Sequence, residues 1–216
     1  MKKTTFWRWT IYLVGVAVLA MGVTLGTKTG MGISPINSVA FSINKAFGVD
    51  FALATFCFYV VLIILQFLIR GRHRRWRDLF QLPFSMVFSW MLGFFEGLLE
   101  IPEAAWQRWV VLAASILLLG LGVCLMVNMR IAPNPADGMS DTIGWALKKD
   151  MGFGKNVIDC CCVIFAFTVD AVFGRLWTSI GITTIISSIF IGRAVYLFNR
   201  LFQKKILRLA GLATEY

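Results

Sequence analysis

Long apolar runs alternate with short polar-striped segments along this chain of 216 residues. Six runs approach the roughly 20 residues of helix that cross a bilayer, and they lack the strict alternation of membrane-barrel strands. The pattern predicts an all-α membrane protein with six transmembrane helices in one domain, residues 1–216. The runs are residues 9–27, 51–69, 79–98, 109–127, 157–173 and 180–198.

Two short segments interrupt this pattern at matching places, after the first run and after the fourth. Residues 30–35 and 128–133 each follow an apolar run, and each polar segment then reaches a Phe-Gly pair, Phe47–Gly48 or Phe153–Gly154. Interrupted hydrophobic segments in corresponding positions of two halves indicate a solute-binding site in a transporter-like protein. The pattern indicates a class of function and identifies no substrate.

The two halves align as repeats, at about residues 9–100 and about 106–199. Matched positions around the interruptions include Gly22 with Gly120 and Pro35 with Pro133. Three spans in each half force homologous halves into opposite orientations, because an odd number of crossings inverts the second copy. The expected architecture is therefore a 3+3 inverted repeat.

Each interruption predicts a short helix after the first span of its half. In the first half Ser34 is placed to cap the helix, Pro35 suits its first turn and Gly48 its end. In the second half Asn134 is the cap and Pro135 the first residue. A helix of twelve residues is about 18 Å long. Two interpretations are open: a re-entrant helix lining a cavity, or an amphipathic helix lying flat at the interface.

Composition and charge support a membrane location. The chain is 58% hydrophobic and 15% charged, with a net charge of +10, whereas soluble domains are about 25% charged. With both termini in the cytoplasm, the basic residues sort to the cytoplasmic side, as the positive-inside rule requires. The exceptions are Lys28, Lys45, Arg108 and Arg175. Because the membrane orientation explains the excess of basic residues, no nucleic-acid partner is inferred from the net charge.

The candidate site residues are polar groups on the two short helices and at the start of the fifth run. Asp137 and Asp141 lie one turn apart, where they are candidates to bind a cation, a proton or a substrate amine. For Asp137 the structural alternative is support of the helix N-terminus. Asp159 is a coupling-ion residue, a helix cap or a partner for Lys155. The candidate substrate-binding residues are Ser34, Asn37, Ser38, Asn134, Asp137 and Asp141.

The first short helix offers uncharged groups where the second offers carboxylates. If its N-terminus points inward, its free N–H groups attract a carboxylate or phosphate-like group. The combination suits a zwitterion, or an anion that moves with a cation. No catalytic site and no cofactor are expected. The adjacent Cys160, Cys161 and Cys162 point in different directions around a helix, so no metal site is expected from them either.

Several of these motifs resemble the YczE/YitT-like family of bacterial integral membrane proteins. The matching residues run along nearly the whole chain and include residues 32–35, 80–83, 153–155 and 181–184. Where family members often have a Gly-Glu-Gly-like element, this chain has Ala136-Asp137-Gly138. The resemblance implies a six-span protein of the bacterial plasma (inner) membrane, with a transporter as the implied class.

The function expected from these features is secondary transport of a small polar or anionic solute by alternating access, with cation coupling through Asp137, Asp141 or Asp159. No Walker-type loop for ATP is present. The alternatives are a non-transporting assembly or regulatory protein, a lipid translocator or, ranked lower, a membrane enzyme acting on a lipid-linked substrate. The expected partners are the lipid bilayer, a solute and a second copy of the chain, which could dimerise through the small-residue face of Gly22 and Gly26.

Overall fold

Every regular element among the described residues is helical. The structure, a computed structural model, describes residues 3–31, 33–73, 75–100, 103–174 and 179–212, so Gly32, Arg74 and Arg175 lie outside the described residues. The helices are α1 (Lys3–Lys28), α2 (Pro35–Phe47), α3 (Phe51–Arg70), α4 (Gln81–Leu98), α5 (Ala105–Met129), α6 (Pro135–Ala146), α7 (Met151–Val172) and α8 (Ile182–Leu209).

Each of the six predicted apolar runs corresponds to one long helix, with at most two residues of a run outside it, and the two interrupted segments form α2 and α6. The helices extend beyond several predicted ends; α8, for example, continues to Leu209. Four segments within the described part of the chain are long and apolar enough to cross a membrane. They are Thr4–Lys28, Phe51–His73, Asp78–Leu98 and Ala105–Met129. The described part of the chain is therefore all-helical, and the protein is a multi-pass membrane protein.

The predicted start and stop signals of the two short helices are confirmed, with one exception. Ser34 occupies the N-cap position of α2, but its side chain makes no capping hydrogen bond, because its hydroxyl oxygen accepts from Asn37 Nδ2 instead. Pro35 and Pro135 stand at the first helical positions, where a missing N–H is harmless. The Asn134 side chain caps α6 by accepting a hydrogen bond from the Ala136 amide at 3.0 Å. Gly48 ends α2 in the left-handed region, with φ of 69°, which glycine adopts without a steric penalty.

The first helices of the two halves form the central contact of the bundle. Along α1, Gly15, Gly22 and Gly26 approach successively earlier residues of α5, from Leu125 to Ser115, so the two helices are antiparallel. The Ser115 hydroxyl donates to the Gly22 carbonyl oxygen at 2.7 Å. The small-residue face proposed for dimerisation is thus used within the chain, because Gly22 and Gly26 let the two backbones approach closely.

The remaining long helices pack in equivalent ways in the two halves. Helix α4 runs parallel to α1, with Tyr12 beside Phe84 near one end and Lys28 beside Glu96 near the other. Helix α8 packs on α5 in the same sense, with Gly120 against Ala194 and Asn128 bonded to Asn199. The short helices cross between the halves: α2 packs on α7 as well as α3, and α6 packs on α3 as well as α7.

The short helices lie with their C-terminal ends at opposite ends of the bundle. In α2, Phe41 contacts Phe51 at the start of α3, and Phe47 contacts Phe173 just after α7. In α6, by contrast, Trp145 contacts His73, just beyond the end of α3. Twenty residues of α3 separate these two levels, about 30 Å along its axis.

Candidate functional site

A cavity of about 310 Å³ lies where α1 and α5 meet the start of α6. The connection between α5 and α6 forms one side of it, and the chain changes direction there because Arg130 adopts a left-handed conformation, with φ of 51°. Pro133 and Pro135 then prevent α5 from continuing. The walls are mainly apolar: Leu19, Val123, Met126, Val127, Ile131, Ala132, Pro133 and Met151, with Arg130, Asn134 and Asp137 as the polar groups.

Asn134 lies inside the bundle, some distance from the exposed end of α6. Its side chain faces the hydroxyl of Tyr59, a residue that is 1% exposed. Tyr59 precedes Arg70 by eleven residues along α3, which is about 16 Å of helix. The N-terminus of α6 therefore lies well below the end of the bundle at which its C-terminus contacts His73.

Asp137 is the one acidic residue that lines this cavity among the described residues. Its side chain is half-buried, and no hydrogen bond or ion pair reaches its carboxylate from the described part of the chain. It lies within electrostatic range of Lys155 and Asp159, which form an ion pair with each other. Because that pair is neutral, it leaves the charge of Asp137 largely uncompensated.

Asp141 occupies a different environment, one turn further along α6. Its Oδ2 atom accepts from Arg70 Nη2 at 2.7 Å and from Arg75 Nη1 at 3.2 Å. The Arg70 side chain is 3% exposed, and its Nε donates to the Thr142 hydroxyl at 2.8 Å. Asp141 therefore neutralises a buried arginine that joins α3 to α6, and it does not line the cavity beside Asp137.

Replacing Asp141 with asparagine is expected to destabilise the protein without affecting a ligand in the cavity. The change removes the charge that faces the buried Arg70 guanidinium, and an unpaired buried charge is costly. Because the Asp141 side chain is 45% exposed, we expect a moderate loss of about 2 kcal/mol. Thermal unfolding in detergent measures it, with Asp150→Asn as the control; an unchanged melting temperature would contradict this role.

A pair of buried glutamines supports the N-terminus of α6 from the other side. Gln66 and Gln81 exchange reciprocal amide hydrogen bonds at 3.2 and 3.1 Å, and Gln66 Nε2 also donates to the Pro135 carbonyl at 3.1 Å. Gly138 leaves the space they occupy, because a Cβ atom there would lie 2.6 Å from Gln66 Oε1. These contacts join α3 and α4 to the first turn of α6.

Substitution of Gln66 by leucine is expected to lower the free energy of unfolding by about 2–3 kcal/mol. The variant leaves the amide of Gln81 and the carbonyl of Pro135 without this partner in the interior, and unsatisfied buried polar groups carry a cost of that size. Thermal unfolding measures the loss. Gln203→Leu, at an exposed position of α8, is the matched control, and equal stability of the two variants would refute the assignment.

The candidate residues on α2 lie apart from the cavity. Ser34 accepts a hydrogen bond from Asn37 Nδ2 at 2.9 Å, and Ser38 donates to the Pro35 carbonyl at 2.6 Å. Their polar groups are thus bonded to one another or to the local backbone, and none of the three lines the cavity. Asp159 does not line the cavity either, and its carboxylate pairs with Lys155. Of the predicted site residues, the cavity brings together Asn134 and Asp137.

Sequence reasoning missed three residues of this region. Arg130 was assigned only to the cytoplasmic charges, although its place between an apolar run and the proline-rich interruption could have marked it as a site residue. Tyr59 lies within a continuous apolar run, and nothing in its sequence context marked it as a site residue. Gln66 was not predicted as a site residue, although a lone amide in an apolar run indicates a buried polar contact.

The buried polar groups beside a cavity in a bundle of long apolar helices define a multi-pass membrane protein with an internal polar site. The chain belongs to a family of unknown function, DUF6198, whose model matches residues 6–200. The uncharacterized membrane protein YczE of Bacillus subtilis (strain 168) is 24% identical over 150 residues, which cover 67% of this chain and 68% of that protein. No solved structure matches the chain. The resemblance inferred from the motifs is confirmed.

Proposed function

We propose that this protein is a secondary transporter of a small polar solute in the bacterial plasma membrane, and that the cavity beside Asp137 is its solute site. In this proposal six helices span the membrane, and both termini are cytoplasmic. The chain performs no catalysis in this account. The observation that carries the proposal is an unpaired carboxylate in a mainly apolar cavity at a break in the helical bundle.

The packing supports an inverted repeat as the framework. If α1–α4 correspond to α5–α8, then the contact of α1 with α4 corresponds to that of α5 with α8, and α2 with α7 corresponds to α6 with α3. Exchanging the two halves also exchanges α1 and α5, so the contact between these two helices corresponds to itself. Such a framework allows two related arrangements of the halves, each opening the site to one side of the membrane.

Burial along the short helices supports re-entry into the membrane. In α2 the eight consecutive residues 35–42 are buried, which covers the whole circumference of the helix. A flat amphipathic helix would instead leave one face exposed along its entire length. The last turn of α2 and the end of α6 are the exposed parts. Irregular backbone at membrane depth is tolerated where it lines a cavity, and the turn before α6 does so.

The cavity chemistry supports a solute or coupling ion with a positive charge. The volume of about 310 Å³ is at the lower end for small-molecule sites. Asp137 would hold an ammonium group, a proton or a cotransported cation. Arg130 is exposed and lines the same cavity, where it would hold an anionic group. A zwitterion, or an anion that moves with a cation, fits this pair.

The test is a solute screen followed by flux measurements. Purified protein is screened for thermal stabilisation by amino acids, other zwitterions, amines and organic anions, and the stabilising solutes are tested for counterflow in proteoliposomes. The proposal expects at least one solute to be transported and to protect a Val127→Cys variant from a thiol reagent, because Val127 lines the cavity. Stabilising solutes that neither cross the membrane nor protect Val127→Cys would refute it.

A further inference from the structure

A second pair of cavities lies between the N-terminal halves of α1 and α4. One has a volume of about 260 Å³ and the other about 100 Å³. They adjoin, since both are lined by Trp9, Phe80 and Ile131. We call this pair the α1–α4 groove. Ile131 and Ala132 line both this groove and the cavity beside Asp137, but Asp137 itself does not line the groove. The existence of the groove does not depend on the transport proposal.

The inner part of the groove is apolar and elongated. Two parallel stretches line it, from Trp9 to Val16 on α1 and from Phe80, the residue before α4, to Val87 on α4, and each is about 10 Å long. Trp9, Leu13 and Phe80 are 47%, 44% and 63% exposed. In a membrane-spanning bundle these faces meet lipid, so the groove is continuous with the hydrocarbon region. The apolar wall consists of Tyr12, Leu13, Val16, Pro83, Phe84 and Val87.

The outer part of the groove carries a fixed positive charge. Arg8 lines it together with Thr5, and Arg8 Nη2 donates to the Met129 carbonyl at 2.9 Å, which holds the guanidinium in place. Arg8 Nε is buried and has no hydrogen-bond partner among the described residues. A buried donor of a charged group is costly when unsatisfied, and an anionic oxygen in the groove would supply a partner.

We propose that the α1–α4 groove binds an anionic glycerophospholipid, with its phosphate at Arg8 and one acyl chain along the apolar wall. The arginine matches a phosphate group in charge and hydrogen-bonding geometry. The apolar wall matches an acyl chain and offers nothing to a free phosphate ion. The bound lipid would fill the space between α1, α4 and the loop at Ile131 and so hold these three parts together.

Native mass spectrometry of the full-length protein in detergent, with added dioleoylphosphatidylglycerol, tests this site. Loss of a hydrogen bond to a charged group predicts that Arg8→Gln weakens lipid binding by about tenfold or more. Arg72→Gln, at an exposed arginine after α3, is the matched control and should bind as the wild type does. Leu13→Trp, which fills the apolar wall, should also weaken binding, with a melting temperature that shows the variant is folded.

Two further ligands show whether the acyl chains alone or the phosphate alone account for binding. Dioleoylglycerol, with the same chains and no phosphate, and inorganic phosphate alone should each bind at least tenfold more weakly than the phospholipid. Equal affinity of wild type and Arg8→Gln for the phospholipid would overturn the proposal. So would inorganic phosphate or dioleoylglycerol binding as tightly as the phospholipid. Failure of the solute screen would leave these results unaffected.

Discussion

Replacing Asp137 with asparagine is expected to abolish solute uptake by the reconstituted protein while leaving its fold intact. The carboxylate receives no hydrogen bond or ion pair from the described part of the chain, so its loss removes no structural contact. Asparagine has nearly the same shape and lacks the negative charge that either an ammonium group or a coupling cation requires. A desolvated charge pair contributes about 2 kcal/mol or more to the free energy of binding. Its loss corresponds to binding that is about thirtyfold weaker.

The measurement is the initial uptake rate of the solute that the screen identifies, with wild type and variant at equal reconstituted amounts. Asp150→Asn makes the same chemical change at the exposed residue before α7 and should leave the rate unchanged. Uptake at the wild-type rate by Asp137→Asn would contradict the assignment of the cavity as the site of transport.

Alanine in place of Gly154 is expected to cause the largest loss of stability of any substitution considered for this protein. A Cβ atom at this position would clash with the carbonyl oxygen of Ser140 and lie 2.8 Å from the Gly144 nitrogen. Both are backbone atoms of α6, which cannot move aside as a flexible side chain can. Overpacking against backbone costs about 3 kcal/mol or more, so α7 would be forced away from the helix that carries Asp137.

The yield of monodisperse protein and its melting temperature measure this effect. Gly192→Ala in α8 is the matched control, because no atom lies within 4 Å of the position that its Cβ would take. Alanine is favoured over glycine within a helix, so the control should be as stable as the wild type or more so. A Gly154→Ala protein with the melting temperature of the control would show that α6 and α7 do not pack this closely.

Local sequence signals predicted the helical elements well because they act over a few residues. The apolar runs located the long helices, and Pro35, Gly48, Asn134 and Pro135 set ends of the short ones through dihedral preferences and capping. The family resemblance, carried by motifs distributed along the chain, agrees with the family match over residues 6–200.

The pairings between distant residues could not be predicted in the same way. Asp137 and Asp141 lie one turn apart and look equivalent in sequence, but only Asp141 meets an arginine from another helix. The predicted second span ends at residue 69 and so leaves Arg70 outside it, whereas Arg70 is the last residue of α3 and is buried. The position of α6 along α3 decides these contacts, and no periodicity within either helix encodes it.

For the same reason, the sequence did not show which helix packs on the small-residue face of α1. Gly22 and Gly26 indicate that some helix packs closely there, and the prediction of close packing is confirmed by α5. Sequence spacing alone does not distinguish a helix of the same chain from one of a second copy. A dimer of this protein would therefore use another surface than Gly22 and Gly26.

In the proposed arrangement, α2 and α6 enter the membrane from opposite faces with their N-termini inward. Labelling of single cysteines by a membrane-impermeant thiol reagent, in right-side-out and inside-out vesicles, tests it most directly in a background without the five native cysteines. We expect Lys45→Cys to react from the outer face only and Lys149→Cys from the inner face only, and we expect the buried positions Ser38→Cys and Ser140→Cys to react from neither face. Reaction of Lys45→Cys and Lys149→Cys from the same face, or rapid reaction at Ser38→Cys and Ser140→Cys, would contradict it.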